Sequence, residues 1–161
     1  MSKEQTPEQR RGDGLIATNR KARRDFHILE TFQCGISLLG PEVKSLRLKH
    51  VSIEEAFART DGDQLTLYSM HIKPYEFSRA EVDPDRPRTL LAHKKEILEM
   101  SKFLEEKGVT LIPIRLDFVR GMVKVTIGVG RGKKQFDKRQ DLKKRDSDRD
   151  IARALKERQK R

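Results

Sequence analysis

Two runs of alternating apolar residues restrict the fold of this chain more than any other feature of its sequence. Apolar side chains occupy every second position from residue 112 to 118 and again from 123 to 129. Successive side chains of a β-strand point to opposite faces, so each run predicts a strand with one buried face. Arg120 and Gly121 lie between the runs and predict a tight turn. The sequence therefore indicates an antiparallel hairpin, in which Lys124 lies on the face opposite the valines.

Alternation and turn signals also occur along the first hundred residues. Even-numbered positions from residue 26 to 38 are mostly apolar and predict one or two strands, with a bend or bulge at Gly35. Asp61-Gly62 predicts a hairpin turn, Gly40-Pro41 the start of a short helix, and helical spacing a longer helix over residues 90–108. We predict a mainly β fold: an OB-like antiparallel β-barrel of about six strands, with two or three helices and a flexible basic C-terminal tail that can become helical.

Charge divides the chain into parts. Of the formal net charge of +11, residues 131–161 contribute +8, from 14 Lys/Arg and 6 Asp/Glu. The segment contains few apolar side chains, and their burial cannot offset the chain entropy lost on folding. It is therefore not expected to fold alone. We predict a disordered leader over 1–18, a barrel over 19–130 and a basic tail over 131–161, with a glycine hinge at 128–132. The excess charge favours nucleic acid or an anionic membrane surface as partner.

Motifs for catalysis, metal binding and nucleotide binding are missing. The four histidines lack H-E-x-x-H spacing, and no G-x-S-x-G elbow occurs. GVGRGKK, residues 128–134, departs from the spacing of a phosphate-binding loop, and DSDRD, residues 146–150, lacks the glycine of a calcium loop. Cys34 is the single cysteine and is expected to be buried. Because these motifs are missing, we expect a protein that is not an enzyme and needs no cofactor or metal. Because no long apolar run occurs, we expect it to be soluble and cytoplasmic, with no membrane partner.

The tail contains a weak helix signal of its own. Ser147 and Asp150 form an S-x-x-D capping pattern ahead of good helix formers. A helix beginning there would align cations suited to phosphates at Arg149, Arg153, Lys156 and Lys160. Phe136 lies among cations and can stack on an unpaired base. The alternative is a solvated terminus with no specific contacts.

The chain resembles the SmpB family, the SsrA-binding proteins of bacteria, in five segments. These are NRKARRDF from Asn19, GPEVKSLR from Gly40, HIKPY from His71, DPDRPRTLLAHKKEI from Asp83 and GRGKKQFDKRQDLKKRD from Gly130. The resemblance implies an OB-like barrel that binds the tRNA-like domain of transfer-messenger RNA and takes the place of the missing anticodon arm. It implies delivery to a stalled ribosome with elongation factor Tu, one protein monomer per RNA. The tail would be unstructured when free and helical in the empty mRNA channel beyond the decoding centre, against 16S rRNA.

The resemblance also implies which residues touch each partner. Contacts with transfer-messenger RNA are expected from Asn19, Arg20, Lys21, Arg23, Gln33, Leu91 and Lys124. Gln33 stands where many relatives have a glutamate, so the hydrogen-bonding group remains but its charge is lost. Contacts with the decoding centre and mRNA channel are expected from Lys133, Lys134, Phe136, Asp137, Lys138, Arg139, Lys143, Arg145, Arg149, Arg153, Ala154 and Leu155.

Two other functions fit the composition. A structural ribosomal or ribosome-assembly protein can also have a basic extension, but it would accompany every ribosomal subunit, whereas an adaptor would be sub-stoichiometric and bound to one structured RNA. An RNA-modifying or nucleotide-hydrolysing enzyme would show turnover, but this chain lacks the catalytic and nucleotide-binding motifs named above.

Overall fold

A computed structural model describes residues 13–159, with all of their side chains except that of Phe136. This part of the chain contains nine β-strands and four α-helices. The strands are β1 Gly14–Thr18, β2 Phe26–Ile36, β3 Val51–Ser52, β4 Phe57–Asp61, β5 Gln64–Tyr68, β6 His71–Ile72, β7 Arg88–Leu91, β8 Val109–Val119 and β9 Met122–Gly132. The helices are α1 Arg20–Asp25, α2 Gly40–Arg47, α3 Lys94–Leu104 and α4 Gln135–Gln159. None of the four helices in residues 13–159 has the length and apolar composition of a membrane-spanning segment.

Six antiparallel strands close a barrel. The neighbours follow the order β8-β4-β5-β7-β2-β9, and β9 pairs again with β8. The β4–β8 contact is a single pairing, between Ala58 and Leu111, whereas β8 and β9 pair along almost their whole length. β1 adds to β8, and β3 with β6 forms a separate two-stranded sheet. The prediction of a mainly β barrel of about six strands is confirmed; α1, α2 and α3 agree with the two or three predicted helices, and α4 is the helix of the tail.

The core of the barrel consists of apolar side chains from all six strands, capped by α2 and α3. Leu46 of α2 and Met100 of α3 are fully buried against it. Cys34 is also fully buried, and this burial raises the pKa of its thiol to about 11. The thiol is therefore protonated and unreactive at neutral pH, which suits a structural residue.

The predicted disordered leader is wrong in its last residues. Gly14–Thr18 form β1, which pairs with β8 from Gly14 opposite Phe118 to Thr18 opposite Arg115. Ile16 is 6% exposed and belongs to the core. A strand of five residues is too short for its alternation to be distinguished from a polar leader. Residues 1–12, the rest of that prediction, lie outside the described residues.

The predicted long helix begins four residues later than expected. Leu90 and Leu91 belong to β7, where Leu90 is buried opposite Leu65 of β5. α3 starts at Lys94, because the Glu96 carboxylate accepts a hydrogen bond from the backbone N–H of His93 at 3.2 Å and satisfies one of the unpaired amides of the first turn. Apolar spacing alone could not separate the last strand residues from the helix.

Two register shifts change which residues face the core. In β8 the pairing with β9 shifts between Pro113 and Arg115, so the core receives Leu111 and Leu116. Ile112 and Ile114 are buried outside the core cluster, on the outer side of the sheet. β2 shifts likewise between Ile28 and Glu30. An extra residue inverts the side chains that follow it, so the prediction of a single apolar face was wrong for residues 26–38 and 112–118. It was right for residues 123–129, whose four apolar side chains all lie in the core.

The glycines of the predicted hinge make room for this outer layer. A Cβ on Gly128 would lie 2.4 Å from Cδ1 of Ile114, and one on Gly130 would lie 3.1 Å from Cβ of Phe26. Both glycines are buried in β9, which continues to Gly132. Close packing therefore explains them, and the hinge interpretation was wrong for these two positions.

Packing at Gly128 can be tested with a matched glycine on the same strand. We expect Gly128→Ala to lower the free energy of unfolding by about 1–3 kcal/mol, because the new methyl must displace Ile114. Gly132→Ala should change it by less than about 0.5 kcal/mol, since nothing lies within 4 Å of a Cβ there. Urea denaturation of both variants measures the difference, and equal effects would contradict the packing role.

Candidate nucleic-acid interface

Three residues predicted to bind RNA meet on the outer face of β7, β2 and β9. Gly35 of β2 pairs with Leu91 on one side and with Lys124 on the other. Gln33 lies two residues along β2, on the same face as Gly35, and pairs with Thr126. We call Gln33, Gly35, Leu91 and Lys124 the Gly35 surface. The structure thus brings together residues that are up to 91 positions apart in the sequence.

Gly35 leaves room for the close approach of Leu91. A Cβ at this position would lie 3.3 Å from the Cβ of Leu91. The surface borders a groove of about 300 Å³ with a largely apolar lining. Leu91 is 58% exposed, unusual for a leucine on a central barrel strand. The lining comprises Gly35, Ile36, Leu38, Val43, Leu91, Gly121, Met122, Val123 and Lys124.

The ammonium group of Lys124 is the positive charge of this surface. Asp117 lies opposite Lys124 on β8, but its carboxylate accepts hydrogen bonds from the Arg115 guanidinium at 2.6 and 2.8 Å. Within residues 13–159 no carboxylate lies within the 4.0 Å ion-pair distance of the Lys124 ammonium. An apolar groove beside an uncompensated ammonium can take a ribose or base against the leucine and a phosphate against the lysine.

Asn19 has a structural place in the fold. Its side chain is 1% exposed, and its Nδ2 donates to the carbonyls of Ile53 at 3.1 Å and Pro113 at 2.9 Å. Its Oδ1 accepts from the backbone N–H of Ala22 at 2.9 Å and caps α1. The donors and acceptor are therefore already used inside the protein. In the structure Asn19 positions α1, whereas a direct contact with RNA was predicted for it.

α1 carries the other predicted RNA contacts of the barrel at its surface. Arg20 and Arg23 are exposed, and Lys21 forms an ion pair with Glu55. A second groove of about 430 Å³ runs beside α1 and is lined by Arg23, His27, Arg115 and Lys133, with apolar and threonine side chains between them. Thr126 lines this groove and also pairs with Gln33, so the groove continues the Gly35 surface along β2 and β9. Sequence analysis missed Arg115, which is exposed on β8 opposite Thr126.

The start of the tail is attached to the barrel. The backbone N–H of Lys133 donates to the carbonyl of Asp25 at 2.8 Å, and its ammonium pairs with Asp141. Nζ of Lys138 lies 3.6 Å from Oδ1 of Asp25, and the Asp137 carboxylate lies 3.6 Å from Nε2 of His27. The Lys133 ammonium lowers the pKa of Asp141 below its usual value. Lys133, Asp137 and Lys138, predicted as ribosome contacts, thus have partners within the protein.

The remainder of the tail is a continuous helix that extends away from these contacts. α4 passes through Ser147 without interruption, so the predicted helix start at Ser147 is wrong, although the tail is helical. The side chain of Phe136 and all of Lys160 lie outside the described part of the chain. The other predicted channel contacts are exposed: Lys134, Arg139, Lys143, Arg145, Arg149, Arg153, Ala154 and Leu155.

A buried ion-pair network fixes α2 relative to β7. Glu42 is 3% exposed, and its carboxylate accepts from the N–H of Leu39 at 2.9 Å, from Arg86, and from Nε of Arg88 at 2.6 Å. Arg88 is fully buried and also donates to the carbonyls of Met70 at 2.5 Å and Pro84 at 3.0 Å. α2 supplies Val43 to the groove and β7 supplies Leu91, so this network holds two of its walls.

The stability contributed by Glu42 should depend on pH. Burial acts to raise the pKa of Glu42, but hydrogen bonds from Arg86, Leu39 and Arg88 outweigh it and hold the pKa below its usual value. Because the folded-state pKa is the lower one, this stabilisation is present above the unfolded pKa of about 4.3 and is lost as pH falls through the folded pKa.

We expect Glu42→Gln to lower the free energy of unfolding at pH 7 by about 3–5 kcal/mol, because Arg88 is left as an uncompensated buried charge. The difference from the unmodified chain should shrink at pH 3. Guanidinium denaturation at both pH values measures it, with Glu99→Gln on the exposed side of α3 as the control. A difference that does not change with pH would contradict the ion-pair assignment.

Comparison with known proteins places these features in a family. The family model described as SmpB protein matches residues 16–157. The chain is 48% identical over 145 residues to the SsrA-binding protein of Carboxydothermus hydrogenoformans, covering 89% of this chain and 97% of that protein. It is 48% identical over 151 residues to the SsrA-binding protein of Listeria monocytogenes, covering 92% and 98%. A solved chain from a structure described as "tmRNA-SmpB: a journey to the center of the bacterial ribosome" superposes with a TM-score of 0.64 at 47% identity, covering 74% and 85%.

Proposed function

The chain belongs to the SmpB family, and on this basis we propose that it is an RNA-binding adaptor of trans-translation. It binds transfer-messenger RNA, the SsrA RNA, through the tRNA-like domain and delivers it to stalled ribosomes. The observation that carries this proposal is the Gly35 surface, in a chain nearly half identical to proteins that are called SsrA-binding. The protein supplies binding and positioning, and it catalyses no reaction.

The Gly35 surface and α1 bind the tRNA-like domain together. Lys124 neutralises a phosphate, the exposed Leu91 packs on a ribose or base, and Gln33 donates or accepts a hydrogen bond. Arg20, Lys21 and Arg23 contact the phosphates that continue beyond the groove, with Lys21 exchanging Glu55 for RNA. Asn19 acts by holding α1 in place. In this complex the barrel stands in for the anticodon arm, one protein molecule to each RNA.

The tail acts on the ribosome. Its exposed cations lie along α4 and suit a channel walled by 16S rRNA phosphates, the mRNA channel that a stalled ribosome leaves empty. Phe136 stacks in the decoding centre, and Ala154 and Leu155 make apolar contacts farther along. The attachment of Asp137 and Lys138 to His27 and Asp25 sets the direction in which α4 leaves the barrel. Elongation factor Tu accompanies the aminoacylated RNA in the delivery complex.

Binding to purified RNAs tests the proposal. The chain should bind the tRNA-like domain of transfer-messenger RNA more tightly than an elongator tRNA of similar length. The logarithm of its affinity should fall linearly with the logarithm of the salt concentration, as phosphate neutralisation requires. Electrophoretic mobility shifts at several salt concentrations measure both properties. Equal affinity for the two RNAs would show that the charge binds RNA without the proposed selectivity.

A further inference from the structure

The loop between β6 and β7 presents an aromatic side chain to solvent. Phe77 is 81% exposed, the highest value among the large apolar side chains in the described part of the chain. Its ring makes an edge-to-face contact with the ring of Tyr75, with centroids 5.6 Å apart and an interplanar angle of 66°. Tyr75 itself is half-buried. The pair thus leaves the face of an aromatic ring open beside a second ring that is anchored.

Hydrogen bonds fix this part of the loop to the barrel. The backbone N–H of Ser78 donates to the carbonyl of Tyr75 at 3.1 Å and closes a turn with Phe77 inside it. The Ser78 hydroxyl oxygen accepts from the N–H of Ala80 at 3.2 Å. Ser45 of α2 donates through its hydroxyl to the carbonyl of Lys73 at 2.7 Å, just before the aromatic pair. Phe77 is therefore held outward by an ordered turn.

Cationic side chains lie against the aromatic pair and beside it in the loop. The ammonium of Lys44 on α2 lies 5.4 Å from the ring centroid of Tyr75, on its π face. Lys73 and Arg79 flank the pair in the same loop, where Glu76 is the carboxylate between them, and α2 adds the carboxylate of Glu42. Glu42 is already bound by Arg86 and Arg88. An exposed ring among excess cations is the arrangement that binds unpaired bases, with stacking on the ring and phosphates against the cations.

We propose that Tyr75 and Phe77 form a stacking platform for an unpaired base of transfer-messenger RNA, with Lys44 and Arg79 contacting the adjacent phosphates. This inference rests on the proposed function. The same RNA is indicated because only α2 separates the aromatic pair from the groove beside the Gly35 surface. Val43 of α2 lines that groove, and the next residue, Lys44, reaches Tyr75. An RNA in the groove can therefore continue around one short helix to the platform. One exposed ring among cations is too small an apolar area for a stable protein interface.

Tryptophan substitution gives a direct signal for stacking, because the chain contains no tryptophan. We expect the fluorescence of Phe77→Trp to be quenched when the tRNA-like domain is added. We expect Phe77→Ala to weaken binding of that RNA about tenfold, in line with one lost base stack. Leu98 is 57% exposed on α3 and supplies matched controls, Leu98→Trp and Leu98→Ala, which should show neither effect. Urea denaturation verifies that each variant remains folded.

The outcomes separate this inference from the proposed function. Quenching at Phe77 with an affinity loss limited to Phe77→Ala supports the platform. If the unmodified chain binds the RNA but Phe77→Ala binds equally well and Phe77→Trp is not quenched, the platform is excluded and the proposed function stands. Quenching that requires ribosomes or a protein factor would assign Phe77 to another partner and overturn the inference. Failure of the unmodified chain to bind the tRNA-like domain would instead overturn the proposed function.

Discussion

A chain that ends at Lys134 is expected to bind transfer-messenger RNA within a few-fold of the full chain and to support no tagging on stalled ribosomes. All six barrel strands, α1 and the Gly35 surface lie before this residue, as does the backbone bond from Lys133 to Asp25. The exposed cations of α4 are removed together. If the barrel binds the RNA and the tail occupies the mRNA channel, the first step survives and the second is lost.

Two measurements on the same truncated protein test this separation. Affinity for the tRNA-like domain is measured by mobility shift, and tagging is measured in a reconstituted translation reaction with a truncated message. The truncation also removes Asp141, the partner of Lys133, so the unfolding midpoint serves as a control for the barrel. Parallel loss of RNA affinity and tagging in a folded barrel would contradict the division between the two surfaces.

Replacing Lys124 with glutamate is expected to weaken binding of the tRNA-like domain roughly 100-fold at low salt. The substitution removes the ammonium of the Gly35 surface and puts a carboxylate where we propose that an RNA phosphate binds. It also places two carboxylates opposite each other, since Lys124 pairs with Asp117 on β8. The slope of log affinity against log salt should become less steep by about one phosphate contact.

Lys95→Glu is the matched control for this prediction. Lys95 is exposed on α3, and its reversal changes the net charge of the chain by the same amount. A loss confined to Lys124→Glu would place the RNA on the Gly35 surface. Equal losses for both variants would mean that RNA responds to total charge, and the assignment of a specific surface would fail.

The barrel could be predicted from sequence because strand alternation and turn residues are local signals. Asp61-Gly62 marks the β4–β5 hairpin and Arg120-Gly121 the β8–β9 hairpin, and Gly62 and Gly121 both adopt positive φ. The bulges could not be predicted, because an extra residue such as Ile114 leaves the apolar pattern of its segment almost unchanged. The shift becomes visible only from the partner strand, where Gly128 leaves room for that side chain.

Sequence analysis could predict residues of the candidate site but not how they are arranged in space. Resemblance to a family suggested Gln33, Leu91 and Lys124, yet their meeting around Gly35 depends on the pairing of three strands distant in sequence. Asn19 shows the opposite limit: the same resemblance suggested RNA contact, whereas its amide is used inside the fold. Their roles in RNA binding stay predictions until the variants are measured.

The aromatic pair of the β6–β7 loop had a sequence signal that was not used. Tyr75 and Phe77 follow Pro74 in a segment rich in proline and charge, where an apolar ring has little prospect of burial. Its cationic surroundings could not be read from that segment alone, because Lys44 comes from α2. Contacts between elements, rather than residue type, identify this candidate surface.

Crosslinking the protein to RNA in living cells, followed by sequencing of the bound RNA and quantification against ribosomes, tests the central claim most directly. The claim is that the barrel binds one folded RNA and that the chain binds the ribosome only transiently. We expect crosslinks from the Gly35 surface to concentrate in the tRNA-like domain of transfer-messenger RNA, with far fewer protein molecules than ribosomes. Crosslinks from that surface to ribosomal RNA, with one protein for each ribosomal subunit, would contradict the claim and identify a structural ribosomal component.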